Sequence, residues 1–300
     1  MNCACQIGFK RLITTNQIQF IKMDKLKDKD DTLNITKKQL SLLTFIYQFR
    51  FVTSRHVQYE LGQKDIGNAD RLLKQLANSG YVNTVLSGEE RKITKPAIFY
   101  LTPKSIDLLK EVKGTSNVIL SQIHKDTHAP ESYIKHCLTI GNINLEFKRL
   151  HGSNLMFACK SDMATYNYLP KDLPDAFIEI NGMESKPRDF FLYYYEEDIP
   201  VAKTNKQLRH FVEYTESKIW QKSTVTQMPS IIIIFQGNNI PIPFLRYAKW
   251  TVKNANTDEL NILATTMSKL KDSTDKDDRV WRYIDLEGLA DEEDPYIKLI

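Results

Sequence analysis

The hydrophobic and polar positions of the chain fall into two patterns, a helical one near the N-terminus and a strand-rich one beyond it. Between residues 35 and 80, apolar side chains recur three and four positions apart, which is typical of amphipathic helices. The pattern predicts helices over about 36–49, 54–61 and 65–78, with Thr36 and Thr53 as N-caps of the first two. Gly80 follows the third helix at the usual left-handed closing position.

A hairpin pattern follows these helices. Two extended stretches, Tyr81–Leu86 and Ala97–Leu101, flank a polar tip, and Pro103 opens a further helix to about Val112. Three helices, a hairpin and a helix are the order of a winged helix-turn-helix domain, which we assign to residues 35–113. We expect residues 1–34 to be a flexible arm, because they lack a clear period and end in a charge run. Residues 114–130, rich in polar and small side chains, are predicted to be a linker.

The remainder of the chain, residues 131–300, alternates helices with short apolar strands. Its predicted elements are a helix over 131–150, strands over 155–159, 175–180 and 190–196, a helix over 203–220, a strand over 231–235, helical sequence over 243–271 and a short strand over 280–284. This order predicts an α/β domain with a mixed sheet, so the whole chain is α+β.

Charge is distributed unevenly between the two regions. Residues 1–130 hold 20 basic and 12 acidic residues, whereas the rest hold 21 and 25. A basic N-terminal region and an acidic C-terminal region fit a DNA-binding module joined to a metal-binding module. The alternative is that the charges are distributed unevenly by chance.

The third helix and the hairpin carry the side chains expected to contact duplex DNA. The helix presents Asn68, Arg71, Lys74 and Gln75, which are suited to bases and phosphates of a major groove, and the wing presents Arg91, Lys92 and Lys95 for flanking phosphates. The alternatives are a solvated helix face with a charged hairpin tip, or a winged helix that binds protein.

Several features favour a cytoplasmic protein. No apolar stretch approaches the roughly 20 residues that cross a bilayer, and the first residues lack an export signal. The four cysteines form no CxxC pair, which disfavours a zinc site or a disulfide framework.

Acidic residues cluster where two neighbouring strands are predicted to begin and end. Asp175 begins one strand, and Glu196 and Asp198 end the next. Three carboxylates at one sheet edge would suit Mg²⁺ or Mn²⁺, with Lys206 from the following helix held over a phosphate. A solvated acidic turn is the alternative. Glu146 is a further candidate ligand or a surface residue, and Tyr194 is a candidate nucleophile or a packing residue.

The same residues carry a family resemblance. Pro174-Asp175-Ala176, the apolar strand Phe191–Tyr195, Glu196-x-Asp198, and Lys206 with Phe211 and Tyr214 beyond it resemble the PD-(D/E)xK nuclease superfamily. More narrowly, residues 35–240 resemble the replication-relaxation family of plasmids and mobile elements, which joins a winged helix to a restriction-endonuclease-like domain and includes the class C mobilisation relaxases. Two departures stand out: Ile199-Pro200-Val201 replaces the family's usual Arg-Gly-Thr, and no Lys follows the acid by two residues.

The resemblance implies a metal-dependent relaxase or endonuclease that nicks a plasmid origin during mobilisation, conjugation or DNA replication. Asp175, Glu196 and Asp198 would bind the metal, and Lys206 would complete the catalytic set. Partners would be double-stranded DNA and accessory mobilisation or coupling proteins. The alternative is a non-catalytic winged-helix replication initiator or regulator with a degenerate nuclease domain.

Overall fold

A computed structural model describes residues 35–85, 96–181, 188–224, 226–284 and 296–299. The described residues divide into two compact units, with the division between Leu145 and Glu146. We call the described residues up to Leu145 the N-terminal unit and those from Glu146 the C-terminal unit. Within these ranges no helix combines the length and the apolar character needed to cross a membrane.

The N-terminal unit has the element order of a winged helix. Its elements are α1 (Lys37–Phe49), β1 (Phe51–Thr53), α2 (Ser54–Glu60), α3 (Ile66–Asn78), β2 (Val82–Thr84), β3 (Ile98–Leu101), α4 (Ile106–Lys110), α5 (Asn117–Leu120) and the start of α6 (Glu131–His151). The three strands form an antiparallel sheet in the order β1-β3-β2. The predicted winged helix-turn-helix fold is thus confirmed, and β1 is an additional strand that the sequence did not reveal.

Local chemistry sets the ends of these helices. Thr36 caps α1 through a reciprocal box in which its Oγ1 accepts from the Gln39 N–H and its own N–H donates to Gln39 Oε1. Gly80, with φ of +75°, lets the chain turn back after α3, so that the Tyr81 N–H reaches the Leu76 carbonyl. The third helix therefore stops where the sequence predicts.

The stretch expected to be a linker, residues 114–130, is helical in the structure. It holds α5 and a 3₁₀ segment, Ile123–His128, and it buries Leu120 and Ile123. Asp126 in this segment forms an ion pair with Arg50 at 2.8 Å, which fastens it to the end of α1. The sequence did not reveal these elements because they span only four and six residues, too few for a hydrophobic period to stand out in a polar stretch.

The C-terminal unit is built on one seven-stranded mixed sheet. After α6 come β4 (Leu155–Cys159), α7 (Lys160–Met163), β5 (Ala176–Ile180), β6 (Arg188–Tyr195), α8 (Val201–Ser217), α9 (Ile219–Thr224), β7 (Ser230–Phe235), α10 (Ile242–Asn254), β8 (Ile262–Thr266), α11 (Met267–Asp272), β9 (Trp281–Tyr283) and β10 (Tyr296–Ile297). The strands lie side by side in chain order, with β4, β5 and β6 antiparallel, β6, β7 and β8 parallel, and β9 antiparallel to β8. From α6 to α10 the elements follow the order predicted for the restriction-endonuclease-like domain, which is helix, three strands, helix, strand and helix. The short helices α7 and α9 are additional.

Two predicted elements of this unit are wrong in detail. The helical sequence expected over residues 243–271 contains the strand β8, which is buried along its whole length beside β7. Strands buried on both faces read as continuous apolar runs, so periodicity does not separate them from buried helix. The helix expected over residues 203–220 is interrupted at Lys218, whose φ of 53° is left-handed.

The boundary between the two units falls inside α6. The predicted domain boundary lay at the start of this helix, near Glu131, whereas the units divide between Leu145 and Glu146. Its N-terminal part contributes Ile134 and Cys137 to the core around Phe51 and Tyr100. One continuous helix therefore belongs to both units.

Candidate functional site

The exposed face of α3 is the first candidate site. Asn68, Arg71, Lys74 and Gln75 are all exposed, while Ala69, Leu73 and Leu76 are buried. The Asp65 side chain caps the helix by accepting from the Gly67 N–H at 2.9 Å. The apolar stripe thus anchors the helix and leaves four polar side chains on one accessible face, as the sequence predicts.

Two of these side chains are oriented by neighbours. Arg71 Nη2 donates to Asn68 Oδ1 at 3.0 Å, so the guanidinium and the amide form one polar pair. Lys74 Nζ lies 2.7 Å from Asp70, which also accepts from Ser54 Oγ. Arg91, Lys92 and Lys95, expected in the wing, lie outside the described residues.

Asp175 is the centre of the second candidate site. It lies immediately before β5 and is only 5% exposed. Its Oδ1 accepts from Lys160 Nζ at 2.6 Å, and its Oδ2 accepts from the Tyr194 N–H at 2.8 Å. Both carboxylate oxygens are therefore engaged within the protein, one of them by a cation.

The other predicted ligands lie at the same end of the sheet but in different surroundings. Antiparallel pairing of Ala176 with Leu192 places the start of β5 beside the end of β6. The strand ends at Tyr195, so half-buried Glu196 and exposed Asp198 lie in the turn that follows. The strand is too short to carry both acids on one face, which was the basis of the predicted pair.

The described residues do not form the expected metal centre. Among them, no three His, Cys, Asp or Glu side chains are grouped so that they could hold a metal ion. Asp175, Glu196 and Asp198 therefore do not form such a group. Mg²⁺ or Mn²⁺ would bind through carboxylate oxygens, and each oxygen of Asp175 accepts a hydrogen bond within the protein. In this arrangement the cationic partner of Asp175 is Lys160.

The lysine assignment also differs from the prediction. Lys206 is exposed in the second turn of α8, which begins at Val201, rather than in its first turn. Lys160, at the start of α7, is the lysine that contacts Asp175. The signal was present in the sequence, because Lys160 follows one predicted strand and Asp175 begins the next. Pairing these strands antiparallel, as Cys159 pairs with Ala176, puts the two residues opposite each other.

Further polar contacts involve Asp172, three residues before Asp175. His210 Nδ1 contacts Asp172 Oδ2, and the Tyr193 hydroxyl donates to the Asp172 carbonyl at 3.1 Å. Burial raises the pKa of both Tyr193 and Tyr195, and the nearby carboxylates of Asp175 and Asp172 raise it further. The two phenols therefore stay neutral and act as hydrogen-bond donors.

The remaining candidates have structural contacts. Tyr194, considered as a nucleophile, is 6% exposed and donates its hydroxyl to Gln236 Oε1 at 3.1 Å. Glu146, considered as a further ligand, accepts from Arg149 Nε at 2.8 Å one turn along α6.

Comparison with known proteins yields one match to a family model. The replication-relaxation model matches residues 43–227, which covers more than half of the chain. No curated protein matches the chain.

Two kinds of solved structure show weak likeness. The multiple antibiotic resistance repressor MarR is 18% identical, with a TM-score of 0.26 over 45% of this chain and 88% of its own. The restriction endonuclease FokI is 13% identical, with a TM-score of 0.31 over 78% of this chain and 42% of its own. The fold assignments rest on the element and strand orders above and not on these scores. Because the family match covers more than half of the chain, including most of the winged helix and the strands β5 and β6, the chain belongs to the replication-relaxation family.

Proposed function

We propose that this protein binds a specific double-stranded DNA site, with α3 as its recognition helix. The observation that carries the proposal is the exposed polar face of α3, on which Asn68, Arg71, Lys74 and Gln75 lie together above a buried apolar stripe. A recognition helix reads the edges of bases in the major groove through side chains of these types.

Family membership supports a role in DNA processing during replication. We propose a plasmid or mobile-element origin as the site, with accessory mobilisation or coupling proteins as partners. We also propose the cytoplasm as the compartment, in keeping with four cysteines that form no CxxC pair.

The first prediction concerns the recognition helix. The full chain, used to select ligands from a pool of random duplexes, is expected to enrich one sequence motif. Arg71→Ala should then weaken binding to that motif by roughly tenfold and relax the preference at one base position, as expected for a side chain that contacts bases. Binding is measured at fixed salt, because phosphate contacts alone depend strongly on salt.

Lys110→Ala is the matched control for this experiment. It removes one positive charge from an exposed side chain in the same unit, where Lys110 is paired with Asp107 on α4. Equal losses in both variants, or a selection without any enriched motif, would contradict sequence-specific binding through α3.

Metal-dependent nicking of the bound DNA is the second candidate function. The observation that favours it is the placement of Asp175 at the start of β5 and Glu196 after the end of β6, two paired strands that meet at one end of the sheet. We propose Mg²⁺ or Mn²⁺ as the ion. An ion at this edge would compete with the Lys160 ammonium for Asp175 Oδ1.

The second prediction tests this activity on supercoiled plasmid that carries the selected site. If the protein nicks DNA, the wild-type chain converts the plasmid to open circles with Mg²⁺ or Mn²⁺, and Asp175→Asn and Glu196→Gln abolish conversion without loss of DNA binding. Asn at position 175 keeps an acceptor for the Tyr194 N–H, so the fold is preserved. Asp258→Asn, at an exposed carboxylate of the same unit, should nick normally.

The outcomes separate the two candidates. Binding without open circles in either metal identifies a non-catalytic DNA binder. Nicking that persists in both Asp175→Asn and Glu196→Gln would overturn the assignment of this sheet edge as the active site.

A further inference from the structure

One tryptophan of the C-terminal unit is placed unlike the other two. Trp220 and Trp281 are buried, with 1% and 2% of their surface exposed, whereas Trp250 on α10 is 57% exposed. Leaving an indole of this size in water forgoes the favourable free energy of burying its apolar surface, so its surroundings bear on function.

The exposed indole is held in a defined orientation. Its ring stacks on Tyr247, with ring centroids 5.6 Å apart and an angle of 29° between the planes. The Tyr247 hydroxyl in turn accepts from Arg209 Nη1 on α8 at 3.1 Å. Two aromatic rings and a guanidinium therefore form a fixed platform with one indole face turned to solvent.

The helix that carries Trp250 is positively charged. Arg246, Lys249 and Lys253 lie on α10, which contains no acidic residue. In the described part of the chain, none of these three cations is in an ion pair. This concentration is local, because residues 131–300 as a whole hold more acidic than basic side chains.

Helical spacing brings the cations and the indole together. Arg246 precedes Trp250 by four residues and Lys253 follows it by three, which places all three on one stripe of the helix. Arg246 and Lys253 are exposed, and Lys249 is half-buried beside them. A strong aromatic surface flanked by cations at both ends is the combination that binds a single nucleic-acid strand.

We propose that this face of α10 binds single-stranded DNA, with a base stacked on Trp250 and the phosphates on either side held by Arg246 and Lys253. The inference rests on the proposed DNA-processing function. Duplex DNA fits less well, because its bases are already stacked and a base would have to leave the helix to reach the indole. Unpaired DNA exposes both base faces and needs no such step.

The test is titration of the full chain with oligo(dT). Because Trp250 is the exposed tryptophan and Trp220 and Trp281 are buried, stacking should quench the intrinsic fluorescence that an aqueous quencher such as iodide can reach. Anisotropy of a labelled oligo(dT) gives the affinity of each variant. Trp250→Ala should weaken binding at least fivefold, and Trp250→Phe, which keeps a ring, should weaken it less.

Ile242→Ala is the matched control, since Ile242 is 61% exposed on the same helix but carries no ring. It should bind oligo(dT) as the wild type does. Arg246→Gln and Lys253→Gln should each reduce the slope of log affinity against log salt by about 0.7.

Equal affinity of Trp250→Ala and the wild type for oligo(dT) would overturn the proposal. So would a blue shift of the tryptophan emission with phosphatidylserine vesicles in the absence of quenching by oligo(dT). Failure here is distinguishable from failure of the proposed function, because duplex binding is read separately through Arg71→Ala. A protein that binds its selected duplex but not oligo(dT) refutes this inference alone.

Discussion

At the residue scale, His56 has a single tautomer imposed by its neighbours. The Thr53 N–H donates to Nδ1 at 3.2 Å, so the ring proton lies on Nε2, which donates to Asn142 Oδ1 at 3.1 Å. The side chain is 2% exposed, and its burial lowers the pKa below the ordinary 6.5, with Arg55 lowering it further and the Asn142 contact opposing. A neutral His56 joins α2 to α6 within the N-terminal unit.

The lowered pKa of His56 predicts a loss of stability in acid. Below pH 6.5 the unfolded chain takes up a proton on this ring while the folded protein does not, so stability is lost as the pH falls from 6.5 toward the lowered folded value. The limiting loss is about 1.4 kcal/mol per pH unit. Urea unfolding at pH 7.5 and 5.5 should show a smaller pH effect in His56→Gln than in the wild type.

His128→Gln is the comparison for this measurement, because His128 is exposed in the same unit. It should keep the pH dependence of the wild type. An unchanged pH effect in His56→Gln would contradict the role of this ring, whatever the absolute stability of the variant.

At the element scale, the contact between α2 and α6 depends on a glycine within a helix. A Cβ added to Gly141 would lie 3.0 Å from His56 Cε1 and 3.1 Å from Nε2. The ring cannot move aside cheaply, because both of its nitrogens are hydrogen-bonded and it is buried. Glycine costs a helix about 1 kcal/mol relative to alanine, so close packing rather than helix propensity explains this residue.

Gly141→Ala should therefore destabilise the protein in spite of the gain in helix propensity. Overpacking costs about 1–3 kcal/mol and the propensity gain returns about 1 kcal/mol, so we expect a net loss near 1 kcal/mol in the free energy of unfolding. In a His56→Ala background the same substitution should become stabilising, since the clash is gone. A double-mutant cycle of urea unfolding measures this reversal, and the same sign in both backgrounds would contradict the packing argument.

At the scale of the whole molecule, two folded units share one polypeptide and one long helix, and each carries its own candidate surface. The N-terminal unit presents the polar face of α3, and the C-terminal unit presents the carboxyl edge near Asp175 and the aromatic face of α10. Because the surfaces proposed for duplex and single-stranded DNA lie in different units, Arg71→Ala and Trp250→Ala are expected to affect different ligands.

The sequence by itself determined much of this organisation. Periodicity, caps and glycine placement located α1, α2, α3, α6 and the strands β4, β5 and β6 to within a few residues, because these signals are local to each element. The resemblance at Pro174-Asp175-Ala176 and Glu196-x-Asp198 pointed to the family that the match over residues 43–227 establishes.

Tertiary structure decided what those residues contact. The end of β6 at Tyr195, the antiparallel register that sets Lys160 on Asp175, and the burial of β8 follow from strand pairing and packing across long sequence separations. The same holds for the exposed Trp250 and the two buried tryptophans, which have the same side chain and differ only in what packs over it. Local patterns encode where an element begins, whereas contacts between elements determine which of its side chains reach solvent or each other.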